Sequence, residues 1–215
     1  MALIVSADDD TDVAELIALC LDGSGQTVHT AADGLLATGA GPVPAAGQEL
    51  MDPDRMVAVG RLLAEHGPLQ VLELGMLAAS AARLAAARTA TVGLVLTDTV
   101  RVTGSYGLPE RIEQAGRLPA RWAPCASVVR HGRALLVDDL GAEERWNGHP
   151  VVAVDGIRSY AGVPLRTDAG HLVGTLAVMD PQPRAFTAKV VRTLAALAPT
   201  AAQLLGQATR AAVST

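Results

Sequence analysis

The chain has 215 residues, half of them hydrophobic, with a formal net charge of −5 and only 2% aromatics. That much apolar material excludes wholesale disorder, and the length fits one large domain, or one of roughly 120–160 residues with an appendage. An acidic chain with scattered arginines has no electrostatic footprint for nucleic acid, and no apolar run reaches the ~18–20 residues of a membrane span.

The charge is unevenly divided. Residues 1–54 hold ten acids and no Lys or Arg, whereas the remainder is net basic. Such an asymmetry predicts two parts with different roles. All five aromatics lie between Tyr106 and Phe186, so the bulky core residues belong to the second part. The start, Met-Ala-Leu-Ile-Val, has no positive n-region and runs into Asp8, Asp9 and Asp10, which is not the pattern of a signal peptide. Cys20 and Cys125 sit in unlike contexts without metal-ligand spacing, which predicts a reducing, cytoplasmic setting and no metal site.

In chain order, residues 2–7 read as a short buried strand. Asp8 to Asp12 supply N-cap chemistry, and Val13, Leu16, Ile17, Cys20 and Leu21 have the spacing of an amphipathic helix. Gln26–Thr30 reads as a second strand. Residues 35–52 read as a Gly/Pro linker. A connecting helix over 53–68 starts with Pro53 in its first turn, and Gly67-Pro68 ends it. A longer helix covers about Leu69–Arg88, where Leu74, Leu77, Ala81 and Leu84 step as a heptad-like seam.

Strands follow. Val92, Leu94 and Leu96 alternate, as do Val100, Val102 and Tyr106, and Asp98-Thr99 between them predicts a hairpin. The stretch 108–133 reads as short-helical and irregular, punctuated by Pro109, Pro119 and Pro124. Leu135–Val137 is a further strand, and 138–157 a long polar connection containing Trp146 and His149. Arg158–Arg166 and Leu172–Met179 form a second hairpin through Asp168-Ala169-Gly170. The last helix runs from near Thr187 to about Ala211, with Leu194, Leu197, Ala201 and Leu204 as its seam. The order predicts an α+β layer fold, not a doubly wound sheet.

From about Leu69 to Leu205 the chain resembles a GAF domain. The residues that carry the resemblance are Pro124-Cys125-Ala126-Ser127-Val128-Val129, Gly132-Arg133-Ala134-Leu135-Leu136-Val137-Asp138-Asp139, Arg158 to Leu165, Gly174 to Asp180, and Pro183-Arg184-Ala185-Phe186-Thr187. The resemblance implies a sensory domain over 69–211, with a six-stranded antiparallel sheet, helices on one face and a ligand pocket under loops on the other. Carried onto this chain, the pocket residues are Cys125, Trp146, Asp155, Arg158, Tyr160 and Gly162. An aromatic wall, one cation, one carboxylate and a glycine make a small-molecule site. The alternative is that Trp146 and Tyr160 are core and that Arg158 caps the 138–157 loop. Departures narrow the ligand. Cys125 is followed by Ala126, not the His of bilin-binding members, so no covalent bilin is expected. The cyclic-nucleotide signature has no counterpart. A lone Cys125 does not complete the thiol relay of the free methionine sulfoxide reductases of this fold. His149 reads as a surface residue, not a haem ligand.

Residues 1–34 resemble the first strand, helix and second strand of a response-regulator receiver, on Ile4 to Val13 and Thr27 to Gly34. In that family the acids matching Asp8 and Asp9 hold Mg²⁺. No third strand with a phosphoacceptor follows, so a truncated remnant is expected and the acids read as helix caps.

No phosphate-binding glycine loop survives inspection: Gly39-Ala40-Gly41-Pro42-Val43-Pro44 has proline where a glycine is needed. Ser127, His131 and Asp138 or Asp139 lack a nucleophile-elbow context. The function expected is therefore a non-enzymatic sensor of a small molecule or partner protein. Its seam residues Leu74, Leu77 and Leu84 with Leu194, Leu197 and Leu204 would form a homodimer; the alternative is that each helix packs its stripe on its own sheet and leaves a monomer. The alternatives are a phospho-accepting regulator using Asp8 and Asp9, and a reductase centred on Cys125.

Overall fold

A computed structural model describes the backbone of residues 4–6, 28–30, 50–64 and 67–212, and side chains over 50–64 and 67–206. Contacts divide the chain into two units, 1–45 and 46–215. In the first, β1 (Ile4–Ser6) and β2 (Val28–Thr30) pair in parallel with Ile4 opposite Val28. The intervening helix, Asp8, Asp9 and residues 35–49 of the linker lie outside the described residues.

The second unit is built on a six-stranded antiparallel sheet, which bears out the α+β fold. One hairpin joins β3 (Thr89–Val95) to β4 (Thr99–Tyr106). Another joins β7 (Ser159–Arg166) to β8 (Leu172–Asp180), and β3 pairs with β8 at the centre. The edges are β5 (Arg117–Pro119) beside β4 and β6 (Leu135–Val137) beside β7. The strand β5 falls in the stretch expected to be short-helical and irregular. It has three residues and ends on a proline, so it leaves no alternating pattern to read.

Three helices cover one face: α1 (Pro53–Ala64), α2 (Pro68–Leu84) and, after the shorter helices of the other face, α6 (Ala188–Ala212). Gly67 opens α2, where its N–H donates to Gln70 Oε1 at 2.9 Å. Gln70 then donates to the Leu204 carbonyl of α6 at 2.9 Å, tying the two helices together. Leu74, Leu77 and Ala81 of α2 and Leu194, Leu197, Ala201 and Leu204 of α6 are all buried, as are Val92, Leu94, Leu176 and Val178 of the sheet. The heptad-like seams expected to face a second copy are thus enclosed within the unit's own core, with only Leu84 half-buried. Seam spacing says that one side of a helix is apolar and is silent on what covers it. Approach is closest at Gly104 of β4, where an added Cβ would lie 2.5 Å from the Leu74 backbone. What α2 leaves exposed is a different apolar row: Leu69 (67%), Leu72 (61%) and Met76 (47%).

Helix α1 is attached by a buried cation. Asp52 accepts the Arg55 backbone N–H at 2.8 Å, an N-cap bond. The Arg55 guanidinium lies inside, donating to the carbonyls of Leu50 and Val95. Burial lowers its pKa, partly offset by the Asp52 charge.

The opposite face, the loop face, carries α3 (Glu110–Ala115), α4 (Pro124–His131) and α5 (Pro150–Ala153), joined by irregular chain. Beneath them lies a second apolar core that includes Val95, Val100, Val137, Leu140, Trp146, Tyr160, Ala177 and Met179.

Candidate functional site

The loop face is shaped by small residues in register. Thr91 of β3 lies opposite Ala177 of β8, and Ala177 opposite Gly162 of β7. A row without large side chains lets another element settle on the strands. Helix α4 does so, starting at Pro124, a residue suited to the first turn, and burying Cys125, Ala126, Val128 and Val129. Tyr160, two residues before Gly162, is directed to the same side because strand side chains alternate. Its ring lies over Gly162, where an added Cβ would fall 2.6 Å from Tyr160 Cζ. Only a glycine leaves room for the phenol there.

The phenol O–H donates to Cys125 Sγ at 3.5 Å. Both groups are fully enclosed, and Thr175 of β8 is the third polar member. Its hydroxyl is close enough to influence both neighbours, yet it makes no hydrogen bond of its own. Burial raises the Cys125 thiol pKa, with the Thr175 and Tyr160 contacts opposing. Burial also pushes the Tyr160 phenol well above its usual value, reinforced by Cys125. All three groups are thus neutral at physiological pH. A thiol held in that form is a poor nucleophile.

Trp146 belongs to the same buried cluster, and the Arg145 guanidinium stacks 3.6 Å from its ring centroid. The two charged residues expected in the pocket are engaged elsewhere. Asp155, its side chain 2% exposed, takes two hydrogen bonds from Arg111 of α3, one of them at 2.9 Å. Arg158 donates twice to Asp139, at 2.8 and 2.7 Å. The bonds from Arg158 hold the Asp139 carboxyl below the usual carboxylate range, helped by the Gly141 N–H. These pairs act as two straps, one from α3 to the chain after α5 and one across the ends of the 138–157 connection. Sequence reading named Asp155 and Arg158 as pocket residues and Asp139 only in a hydrolytic set, and it missed Arg111 and Thr175. The pairs span 44 and 19 residues with no local pattern, and only Thr175 had a signal, a hydroxyl inside an apolar strand.

The remaining candidates separate. His149 precedes α5 with its Nδ1 buried and unbonded. His131 Nδ1 contacts the Ser127 carbonyl at 2.7 Å, not its hydroxyl, so the hydrolytic set does not assemble. Two open grooves lie away from the cluster. One, of about 530 Å³, runs between α2 and β4. The other, of about 340 Å³, lies between α1 and the β7–β8 turn. Among the described residues no helix is long and apolar enough to cross a membrane.

The GAF domain family profile matches residues 70–206. No curated protein matches the chain in sequence. Solved structures with the same fold include the GAF domain of a phosphoenolpyruvate-protein phosphotransferase from Coxiella burnetii, at 14% identity and TM-score 0.57, over 78% of this chain and 100% of that one. A free methionine-R-sulfoxide reductase from Neisseria meningitidis, solved with its substrate, is 20% identical with TM-score 0.53, over 78% and 95%. A GAF sensor protein from Burkholderia vietnamiensis is 17% identical with TM-score 0.53, over 73% and 97%. With the profile spanning well over half of its length, the chain belongs to the GAF domain family.

Proposed function

We propose that the chain is a non-enzymatic, cytoplasmic sensory module that binds a small molecule on the loop face of its sheet, around Cys125, Trp146, Tyr160 and Gly162. The observation that carries this reading is the enclosed polar group of Cys125, Tyr160 and Thr175 set in an apolar cluster, between two ion-paired straps. Few converging polar groups in an apolar setting suit ligand binding. Asp155 and Arg158 serve such a site as the anchors of its straps. Binding would act on the strapped segments, which carry the signal to a partner protein or to a second copy. In a homodimer the contact would use the exposed row Leu69, Leu72 and Met76 of α2. Native mass spectrometry of freshly purified protein tests the reading. A bound mass that leaves on denaturation is expected, and bare protein at every concentration would overturn it.

A Cys125-dependent reductase is the second reading, favoured by the fold shared with the Neisseria enzyme. Against it stand the enclosed, neutral thiol and the want of a resolving thiol in the described site. Turnover of free methionine-R-sulfoxide with a dithiol reductant, lost in Cys125→Ser, would establish it. A third reading, a phospho-accepting regulator, rests on the receiver-like sequence of residues 1–34 alone. Phosphorylation of this segment, with Mg²⁺ held by Asp8 and Asp9, would show as one added phosphate after incubation with acetyl phosphate.

A further inference from the structure

The polar groups that converge on the loop face have no charge, the charges of the two straps are already matched, and Arg145 lies exposed on the outer side, stacked on the Trp146 ring. Cys125, Tyr160 and Thr175 offer a thiol and two hydroxyls, with the Tyr160 O–H donating to the Cys125 sulfur. The Thr175 hydroxyl is fully buried and unbonded, which leaves one donor and two acceptor positions open. Buried polar groups normally find partners, so this hydroxyl marks a place where one is missing. Asp155 and Arg158 are each held by two hydrogen bonds from or to an opposite charge. A charged ligand would have to break one of these pairs and strand its partner. The buried guanidinium of Arg55 sits past the end of β3, on the carbonyls of Leu50 and Val95, and does not join the group.

Shape adds a second constraint. The row Thr91, Ala177 and Gly162 is a shallow bay in the sheet, and above Gly162 the bay is filled by the Tyr160 ring. That ring is held at its tip by one hydrogen bond to sulfur, a weak acceptor. A rotation of Tyr160 away from Gly162 would vacate a flat space of ring size, floored by glycine and alanine and bordered by the Thr175 hydroxyl.

We infer that this site takes a small uncharged molecule with a flat ring and a hydrogen-bonding substituent, which displaces the Tyr160 ring from its seat over Gly162 and pairs with Thr175. The inference rests on the proposed sensory reading and gives it a ligand class and a gate. The Tyr160 ring acts as an internal competitor, so the affinity of any ligand is reduced by the fraction of molecules in which the seat is open.

Four probes of similar shape test this on the full chain by ligand-observed NMR: benzamide, toluene, benzoate and benzylammonium. Benzamide should bind the unaltered protein, at least about fivefold tighter than toluene, and neither charged probe should compete with it. Thr175→Val, which keeps the β-branched shape, should weaken benzamide about fivefold and leave toluene unchanged. Tyr160→Leu should tighten benzamide about tenfold by vacating the seat. Should that variant fail to fold by circular dichroism, the probe ranking and Thr175→Val decide alone. Equal binding of toluene and benzamide with no effect of Thr175→Val would reveal a plain apolar void and overturn the inference. So would competition by benzoate or benzylammonium. A bound mass in native spectra that carries a charge would sink this ligand class and leave the sensor standing. Bare protein in those spectra, with no probe bound to the unaltered chain, would remove both.

Discussion

The two faces of the sheet are built from different materials. On the helix face, leucines and alanines of α2 and α6 close on Val92, Leu94, Leu176 and Val178. Contact there is made at backbone level, as at Gly104 against Leu74. On the loop face, short helices and irregular chain cover an aromatic and polar cluster, with α4 packed on the strands through Cys125, Ala126, Val128 and Val129 and two partly exposed ion pairs tying the remaining chain. A close-packed aliphatic layer has one arrangement. A cover of short helices joined by irregular chain has separable attachments, whose pieces can open one at a time. The comparison teaches where to seek change if the proposed site binds: the helix face would supply the frame and the loop face the moving part.

Gly104 and Gly162 allow that difference to be measured with one kind of substitution. At Gly104 the added Cβ of Gly104→Ala meets the Leu74 backbone, which cannot yield without moving α2. We expect a loss of about 3 kcal/mol or more, read as a lowered urea midpoint or as failure to fold. At Gly162 the Cβ of Gly162→Ala meets the far end of the Tyr160 side chain, which can rotate. The expected loss is smaller, about 1–2 kcal/mol, accompanied by changed near-ultraviolet dichroism from the displaced tyrosine. Equal losses at both glycines would mean that the Tyr160 ring is as fixed as backbone, and the distinction between the faces would fail.

The loop face should also carry a pH dependence that the helix face lacks. Burial raises both the Cys125 thiol and the Tyr160 phenol, so folding favours their neutral forms. Stability from this source is fully present below the unfolded-state values of about 8.5 for Cys and about 10 for Tyr. It is lost as pH rises beyond them, because the native state then holds protons that the unfolded state releases. The urea midpoint should be level from pH 7 to 8 and fall above about 8.5. In Cys125→Ala the fall should begin only near about 10. A midpoint that stays level to pH 9.5 in the unaltered protein would show that water reaches the cluster.

These contrasts also explain what the sequence could disclose. The strands of both hairpins and the long helices were legible because each repeats a local period over many residues, as in Val92, Leu94 and Leu96. Strand β5 has no such repeat. Leu74 and Leu194 were legible as seam residues, but their burial partner was not, since a helix records its apolar side and not its neighbour. On the loop face, Cys125, Tyr160 and Gly162 could be named through the family resemblance. The bonds that redirect Asp155 and Arg158 could not, because Arg111 and Asp139 meet them only after the chain has folded back.

The smallest expected effect lies where α2 gives way to β3. Ala86 ends the helix with φ at +48°, the left-handed region in which a Cβ is strained. The turn is held by Arg184, whose guanidinium donates to the Ala86 and Ala85 carbonyls at 2.7 and 3.3 Å and stacks over Phe186. Because Arg184 keeps the geometry fixed, Ala86→Gly should relieve the strain without altering the turn. We expect a gain of about 0.5–1 kcal/mol, the strain removed less the extra freedom glycine gives the unfolded chain. For a chain of this size that is about 1–4 °C in melting temperature. The variant strengthens the frame alone, so benzamide affinity at the loop face should be unchanged by it. A melting temperature that rises while that affinity also shifts would show the two faces to be coupled through the sheet, and the division between frame and moving part would have to be redrawn.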